Sequence, residues 1–154
     1  MCSRNSALVP NLIRIEFCRY GKVNSVLEWG IGESTTIAAF TRLPRYTGVD
    51  SSLEWLGSVR QKAPAHYRFV WADIGIARGS FGRPTTMDSA TKFPFYSVGA
   101  LAQEPEAFDV YFVDGRFRLS CAAAAFLHAS AHGKSRDEFV VAIHDFRWRY
   151  LSGR

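Results

Sequence analysis

The sequence is short of the residues that staple or metallate small proteins. Its three cysteines, Cys2, Cys18 and Cys121, are odd in number and far apart, with no Cys-x-x-Cys pair among them. That pattern argues against a disulfide frame or a cysteine zinc site, and points to free thiols in a reducing compartment. Histidine is scarce and scattered at His66, His128, His132 and His144. His128 and His132 are spaced to share a helix face, but no third ligand accompanies them. Long apolar runs are missing as well. The longest candidate, Cys121 to Ala129, is alanine-rich, contains His128 and falls well short of the roughly 18–20 residues a membrane helix needs. After Arg4 no continuous apolar segment follows, and Arg14, Glu16 and Arg19 interrupt the next stretch, so no secretory signal is expected. The expected location is cytoplasmic.

What is present fits one globular domain spanning 1–154. A chain of 154 residues buries roughly 68–70% of its unfolded surface, and 47% apolar content with a mean hydropathy of −0.07 suits a soluble core. The net charge is +5, carried mostly by arginine spread from Arg4 to Arg154. Scattered arginine reads as solvated surface rather than a dedicated nucleic-acid groove. The densest basic stretch is the tail 146–154, where Arg147, Arg149 and Arg154 interleave with Trp148 and Tyr150.

Apolar spacing orders the chain. Leu8, Val9, Leu12, Ile13, Ile15 and Phe17 recur near 3.6 residues and predict a helix within 1–22, closed by Gly21. Ser25–Trp29 reads as a buried strand stopped by Gly30, and Ser34–Leu43 as a helix closed by Pro44. The rhythm repeats with strand Arg45–Val49, helix Ser51–Lys62 and strand His66–Ala72. It breaks over 75–107, an irregular insertion rich in glycine with an aromatic patch, Phe93-Pro-Phe-Tyr96, and a short helix expected over Tyr96–Gln103. It returns with strand Phe108–Val113, helix Phe117–Ala131 capped by Gly133, and strand Glu138–Ile143. Such alternation predicts an α/β fold with a doubly wound, mainly parallel sheet of about five strands and helices on both faces.

Chemistry concentrates at the strand ends. Glu28-Trp-Gly30-Ile-Gly32-Glu-Ser34-Thr35 stands where the first strand turns into a helix. Glycines there allow positive φ and close approach, and the helix start offers free amides to polar groups. Asp50 ends the next strand about twenty residues on, the spacing at which a carboxylate meets ribose hydroxyls, although it also suits a cap for the helix beginning at Ser51. Asp73, Asp114-Gly115 and His144-Asp145 end the remaining strands. In an open parallel sheet all of these would line one rim.

Taken together, these segments resemble class I S-adenosylmethionine-dependent methyltransferases. Glu28-x-Gly30-x-Gly32-x-Ser34-Thr35 is similar to the family's first motif, Tyr46-Thr-Gly-Val-Asp50 to its second strand, Asp109-Val-Tyr-Phe-Val-Asp-Gly-Arg116 to its fourth and Val140-Val-Ala-Ile-His-Asp145 to its fifth, over roughly 23–146. The resemblance implies strand order 3-2-1-4-5 and S-adenosyl-L-methionine as cofactor. It implies a cofactor site of Glu28, Gly30, Gly32, Ser34, Thr35, Asp50 and Ser51, with Asp73 near the adenine amino group. Ser34 replaces the third glycine of the fuller motif. The family adds an antiparallel strand pair after strand five. This chain stops before it, so a missing segment or a second copy is expected to cover the edge at 138–143.

Methyl transfer needs two positioned reactants and, for weak nucleophiles, a base. Asp114 and His144 are the candidates for that base, with capping or pairing to Arg116 as the plain alternative for Asp114. Catechol-type relatives bind a divalent cation through carboxylates placed like Asp114 and Asp145, but Phe146 stands where they carry an asparagine, so no metal is expected. The acceptor is expected to be a small molecule, for which Phe93–Tyr96, Trp148 and Tyr150 could form a pocket. Two other readings remain: a non-catalytic adenosyl-cofactor-binding or interaction module, and an NAD-dependent oxidoreductase. The latter lacks the third glycine of G-x-G-x-x-G and any Tyr-x-x-x-Lys pair.

Overall fold

The computed structural model describes residues 23–75, 84 and 86–145. The helix expected within 1–22, most of the glycine-rich stretch after Gly75 and the tail 146–154 lie outside them. In chain order the elements are β1 (Ser25–Trp29), α1 (Glu33–Thr41), β2 (Arg45–Asp50), α2 (Leu53–Arg60), β3 (Arg68–Trp71), β4 (Val110–Val113), α3 (Arg118–Ala131) and β5 (Val140–Ile143). All neighbouring strands are parallel and the sheet order is β3-β2-β1-β4-β5.

The two middle strands, β1 and β4, are buried along their whole length, as a parallel sheet covered on both faces requires. Alternation sends Leu27, Trp29, Val49, Tyr111 and Val113 to one face, where they pack on Ala100, Phe108, Cys121, Ala125 and Ala129. Val26, Tyr46 and Val110 face the other way, onto Ala38, Leu43 and Tyr67. Beside them Ile31, Leu56 and Val59 close α2 onto Phe69.

Several elements are shorter than the apolar pattern suggests. β4 starts at Val110 because Phe108 and Asp109 are used otherwise: Phe108 is buried off the ladder, and the Asp109 carboxylate accepts the Asn24 and Ser25 amides at 2.9 and 3.0 Å. Phe139 is likewise core without being strand. The helix expected over Tyr96–Gln103 is replaced by a π-helical turn, Phe95–Gly99, and a 3-10 turn, Leu101–Gln103. Two contacts account for that. The Trp29 indole donates to the Tyr96 carbonyl at 2.9 Å, and the Phe95 ring fills the place where a Cβ on Gly99 would stand.

The tightest point of the fold lies between the carboxyl ends of β1 and β4, where the strand order reverses. Gly30 has φ +83°, and a Cβ there would come within 2.5 Å of Gly115 Cα. Gly115 is equally constrained, since its Cβ would strike the Tyr96 hydroxyl and approach Gly30 N at 2.9 Å. Gly30→Ala is therefore expected to cost about 2–4 kcal/mol, combining left-handed strain with overpacking. Gly57, exposed inside α2 with nothing near its Cβ position, should behave oppositely, with Gly57→Ala gaining about 0.5–1 kcal/mol. Urea unfolding of both variants checks the contrast, and similar losses in the two would contradict it.

Candidate functional site

The backbone ladder runs one step past each strand and sets the site residues at a common height. Gly30 N donates to Val49 O (2.8 Å), Asp114 N to Trp29 O (2.9 Å), Ala72 N to Asp50 O (2.9 Å) and His144 N to Val113 O (3.0 Å). The glycine turn, Asp50, Asp73, Asp114 and His144-Asp145 thus gather beyond the carboxyl ends of the strands, where open parallel sheets bind ligands.

Within the turn, the glycines differ in duty. Gly30 is required by the Gly115 backbone, whereas at Gly32 the nearest atom to a Cβ would be Trp55 Nε1 at 4.0 Å, leaving open space. Gly32 precedes α1, and its amide donates to Thr35 Oγ1 at 2.9 Å. Gly48, in register with Glu28, leaves room for Ile31, whose Cγ2 would sit 2.6 Å from a Cβ there. Trp55 of α2 donates to the Ile31 carbonyl at 2.6 Å and keeps its ring half-exposed.

Glu28 does not stand at the surface of the turn but beneath it, 2% exposed. Its carboxylate receives the Thr35 hydroxyl at 2.9 Å, together with the hydroxyls of Ser34 and Tyr46. Burial pushes its pKa up to about 7, against the three hydroxyls that favour the ionised form. Asp50 is half-buried at the end of β2, accepting the Ser52 amide at 2.8 Å. Burial raises its pKa, neighbouring backbone amides oppose the rise, and the Gly30 amide on the Val49 carbonyl sets the acid beside the glycine turn. The cap of α2 is Ser52, which accepts Trp55 N, and Asp50 instead holds the Ser52 amide just ahead of the helix. Asp73 accepts the Gly75 amide at 2.9 Å and pairs with Lys92 at 2.5 Å, which holds its carboxyl below the usual range.

Asp114 and His144 are brought together. The His144 Nδ1–H donates to Asp114 Oδ1 at 2.9 Å, with Asp145 Oδ2 at 3.5 Å on the same nitrogen. A donor at Nδ1 leaves Nε2 of the neutral ring as the basic nitrogen. Among the described residues Nε2 has no partner, and the ring is half-exposed. Asp114 pairs with Arg118, the first residue of α3, at 2.8 Å. Arg118 is 7% exposed and also donates to the Gly115, Asp114 and His144 carbonyls, binding the ends of β4 and β5 together.

Other candidates go elsewhere. Tyr96 is buried against Phe117 with ring centroids 5.8 Å apart, and Phe93 packs on the same ring at 5.1 Å, so of the aromatic patch Phe95 is left exposed. His128 is buried and bonded to the Tyr111 hydroxyl at 2.8 Å, with its ring 4.3 Å from that of His132. Among the described residues no group of three or more His, Cys, Asp or Glu is placed to hold a metal, and no helix is long and apolar enough to cross a membrane. Trp148 and Tyr150 lie outside the described residues.

No protein-family model and no curated protein matches the chain. Among solved structures it is similar to a methyltransferase-like protein from Silicibacter pomeroyi, with a TM-score of 0.64 and 28% sequence identity over 78% of this chain. The match spans 66% of that protein's chain. Together with the five-stranded parallel sheet, this likeness makes the fold class I methyltransferase-like.

The buried Glu28 carboxyl gives stability a pH dependence of definite sign. Its folded pKa of about 7 lies above the ordinary 4.5, so its contribution is full below about pH 4.5 and is lost as pH rises to about 7. The lost stability amounts to about 3 kcal/mol. Urea unfolding at pH 5 and pH 8 should therefore show a smaller decline in Glu28→Gln than in the parent chain. Parallel curves would contradict the assignment.

Proposed function

We propose that the chain is an S-adenosylmethionine-dependent methyltransferase whose cofactor lies along the carboxyl rim between the glycine turn and Asp50. The observation that carries this reading is that Asp50 ends β2 directly beside the glycine turn, the Gly30 amide donating to the Val49 carbonyl at 2.8 Å, on a methyltransferase-like fold. The residues present fit an adenosyl group. Gly32 offers open space where a side chain would stand, and Asp50 is half-buried, at a depth where its carboxylate can accept ribose hydroxyls while the Ser52 amide keeps it oriented. The half-exposed ring of Trp55 borders the same space, Ser51 follows Asp50 in the chain, and Asp73 stands further along past the end of β3.

Bound there, S-adenosylmethionine supplies an electrophilic methyl group on a sulfonium. The chain's own part is to orient the acceptor and take its proton. Asp114 holds the His144 imidazole by Nδ1, so Nε2 faces the proton-transfer task, and Arg118 fixes both partners by gripping the backbone around them. The half-exposed ring of His144 suits a small acceptor arriving from solvent with a hydroxyl or amine to deprotonate. Asp114 is then a positioning residue and His144 the base.

Calorimetric titration with S-adenosylhomocysteine, run beside NAD, tests the cofactor. Micromolar binding of the former alone is expected, and Asp50→Ala should weaken it by about 1.5–3 kcal/mol, the range for hydrogen bonds to a charged group. Binding of NAD alone, or unchanged affinity in Asp50→Ala, would refute the site. In turnover with an acceptor found by methyl-transfer screening, His144→Ala should lower kcat by about 100-fold or more and leave S-adenosylhomocysteine affinity within about twofold. A matching loss of affinity would make His144 a binding residue instead.

A further inference from the structure

We infer that Tyr46, on β2, is a positioning residue for the glycine turn and acts through Glu28, its phenol completing a buried network that locks the first turn of α1 to the neighbouring strand. What the turn binds rests on the function proposed above; the network stands on geometry alone. Glu28 Oε1 accepts the Ser34 hydroxyl, and Oε2 accepts both the Thr35 hydroxyl and the Tyr46 phenol. Thr35 Oγ1 in turn accepts the Gly32 amide at 2.9 Å and lies 3.1 Å from Tyr46 Oη. Glu28, Gly32, Ser34 and Thr35 all belong to the turn or its flanks. Tyr46 alone comes from another strand, so it references the turn to the rest of the sheet. Its ring is 1% exposed and stacks on Tyr67 at 4.6 Å, and the Tyr67 hydroxyl donates to the Ala38 carbonyl of α1 at 2.8 Å. Water cannot replace a phenol held at that depth.

Proton counting gives the network a consequence. Ionised Glu28 accepts a hydrogen bond from each of three hydroxyls. Protonated Glu28 has a proton of its own to place, so one hydroxyl must turn to accept it. Thr35 and Tyr46 are fully buried, whereas Ser34 is half-buried at the rim and can swing its own proton outward. Protonation therefore detaches a cofactor-side hydroxyl from the network. The groups facing Glu28 are the Tyr46 phenol from β2, which burial keeps protonated, the Asp114 carboxylate from β4, which opposes ionisation, and the Ser34 and Thr35 hydroxyls from α1. Removing the phenol takes away a donor that favours the ionised form, so the Glu28 midpoint must rise.

Amide hydrogen exchange over residues 30–36, followed from pH 5 to 9 and corrected for intrinsic rates, tests this in the parent chain, Tyr46→Phe, Glu28→Gln and the double variant. The parent should lose protection as pH rises toward a midpoint near pH 7, in step with its stability. Tyr46→Phe should move that midpoint upward and lower protection about 10-fold or more, the loss of a hydrogen bond to a charged group. Glu28→Gln should abolish the step, and adding Tyr46→Phe to it should change little, because the phenol acts through the carboxylate. An unmoved midpoint in Tyr46→Phe, or equal losses with and without Glu28, would overturn the inference. Should Tyr46→Phe fail to fold, Ser34→Ala removes another donor from the same carboxylate and must raise the midpoint too; an unmoved midpoint there overturns it equally. S-adenosylhomocysteine affinity is measured on the same samples. If no sample binds it while the exchange step behaves as stated, the proposed cofactor falls and the network stands.

Discussion

The structure hinges on the backbone contact between Gly30 and Gly115. Two strands adjacent in the sheet but far apart in sequence, β1 and β4, end there with no side chain between them. Because the chains touch, the turn after β1 and the turn after β4 share one boundary. On one side lie the glycine turn and Asp50; on the other lie Asp114, His144 and Arg118. Any side chain at either glycine would push the halves apart.

Each half is then stiffened by one buried charged side chain that does not itself face solvent. Glu28 gathers the hydroxyls of Ser34, Thr35 and Tyr46 under the glycine turn. Arg118 gathers the Gly115, Asp114 and His144 carbonyls and the Asp114 carboxylate under the other turn. Both obey the rule that a buried charge survives only when its hydrogen-bonding capacity is filled. The outward His144 inherits its orientation from Asp114 and Arg118, while Asp50 is held by the Ser52 amide.

Strand identity was legible because strands are apolar runs cut off at polar ends, as at Val49-Asp50 and Val113-Asp114, and strand order came only through the resemblance those segments carry. Strand length was less so, since Phe108 and Phe139 are apolar and buried without joining the ladder. The π-helical turn at Phe95–Gly99 could not be read from spacing, because it depends on Trp29 reaching the Tyr96 carbonyl across the fold. In the site, the rim acids announced themselves by position. Tyr46 and Arg118 did not: one resembles a core aromatic of a strand and the other a surface arginine of a helix. Two signals existed. Tyr46 lies two residues before Gly48, the register partner of Glu28, and so shares its face; Arg118 lies four residues after Asp114. Lys92 gave no such signal, as it meets Asp73 only through the irregular insertion.

The proposed function makes the two turns joined at Gly30 and Gly115 a single ligand site. A crystal structure of the chain with S-adenosylhomocysteine tests it most directly. The account predicts ribose hydroxyls on the Asp50 carboxylate, the amino-acid portion over Gly32 and Ser34, and the sulfur facing the Asp114–His144 pair. Ligand found instead at the opposite, amino edge of the sheet, in the open pocket of about 500 Å³ lined by Asn24, Arg45, Asp109 and Lys134, would contradict it.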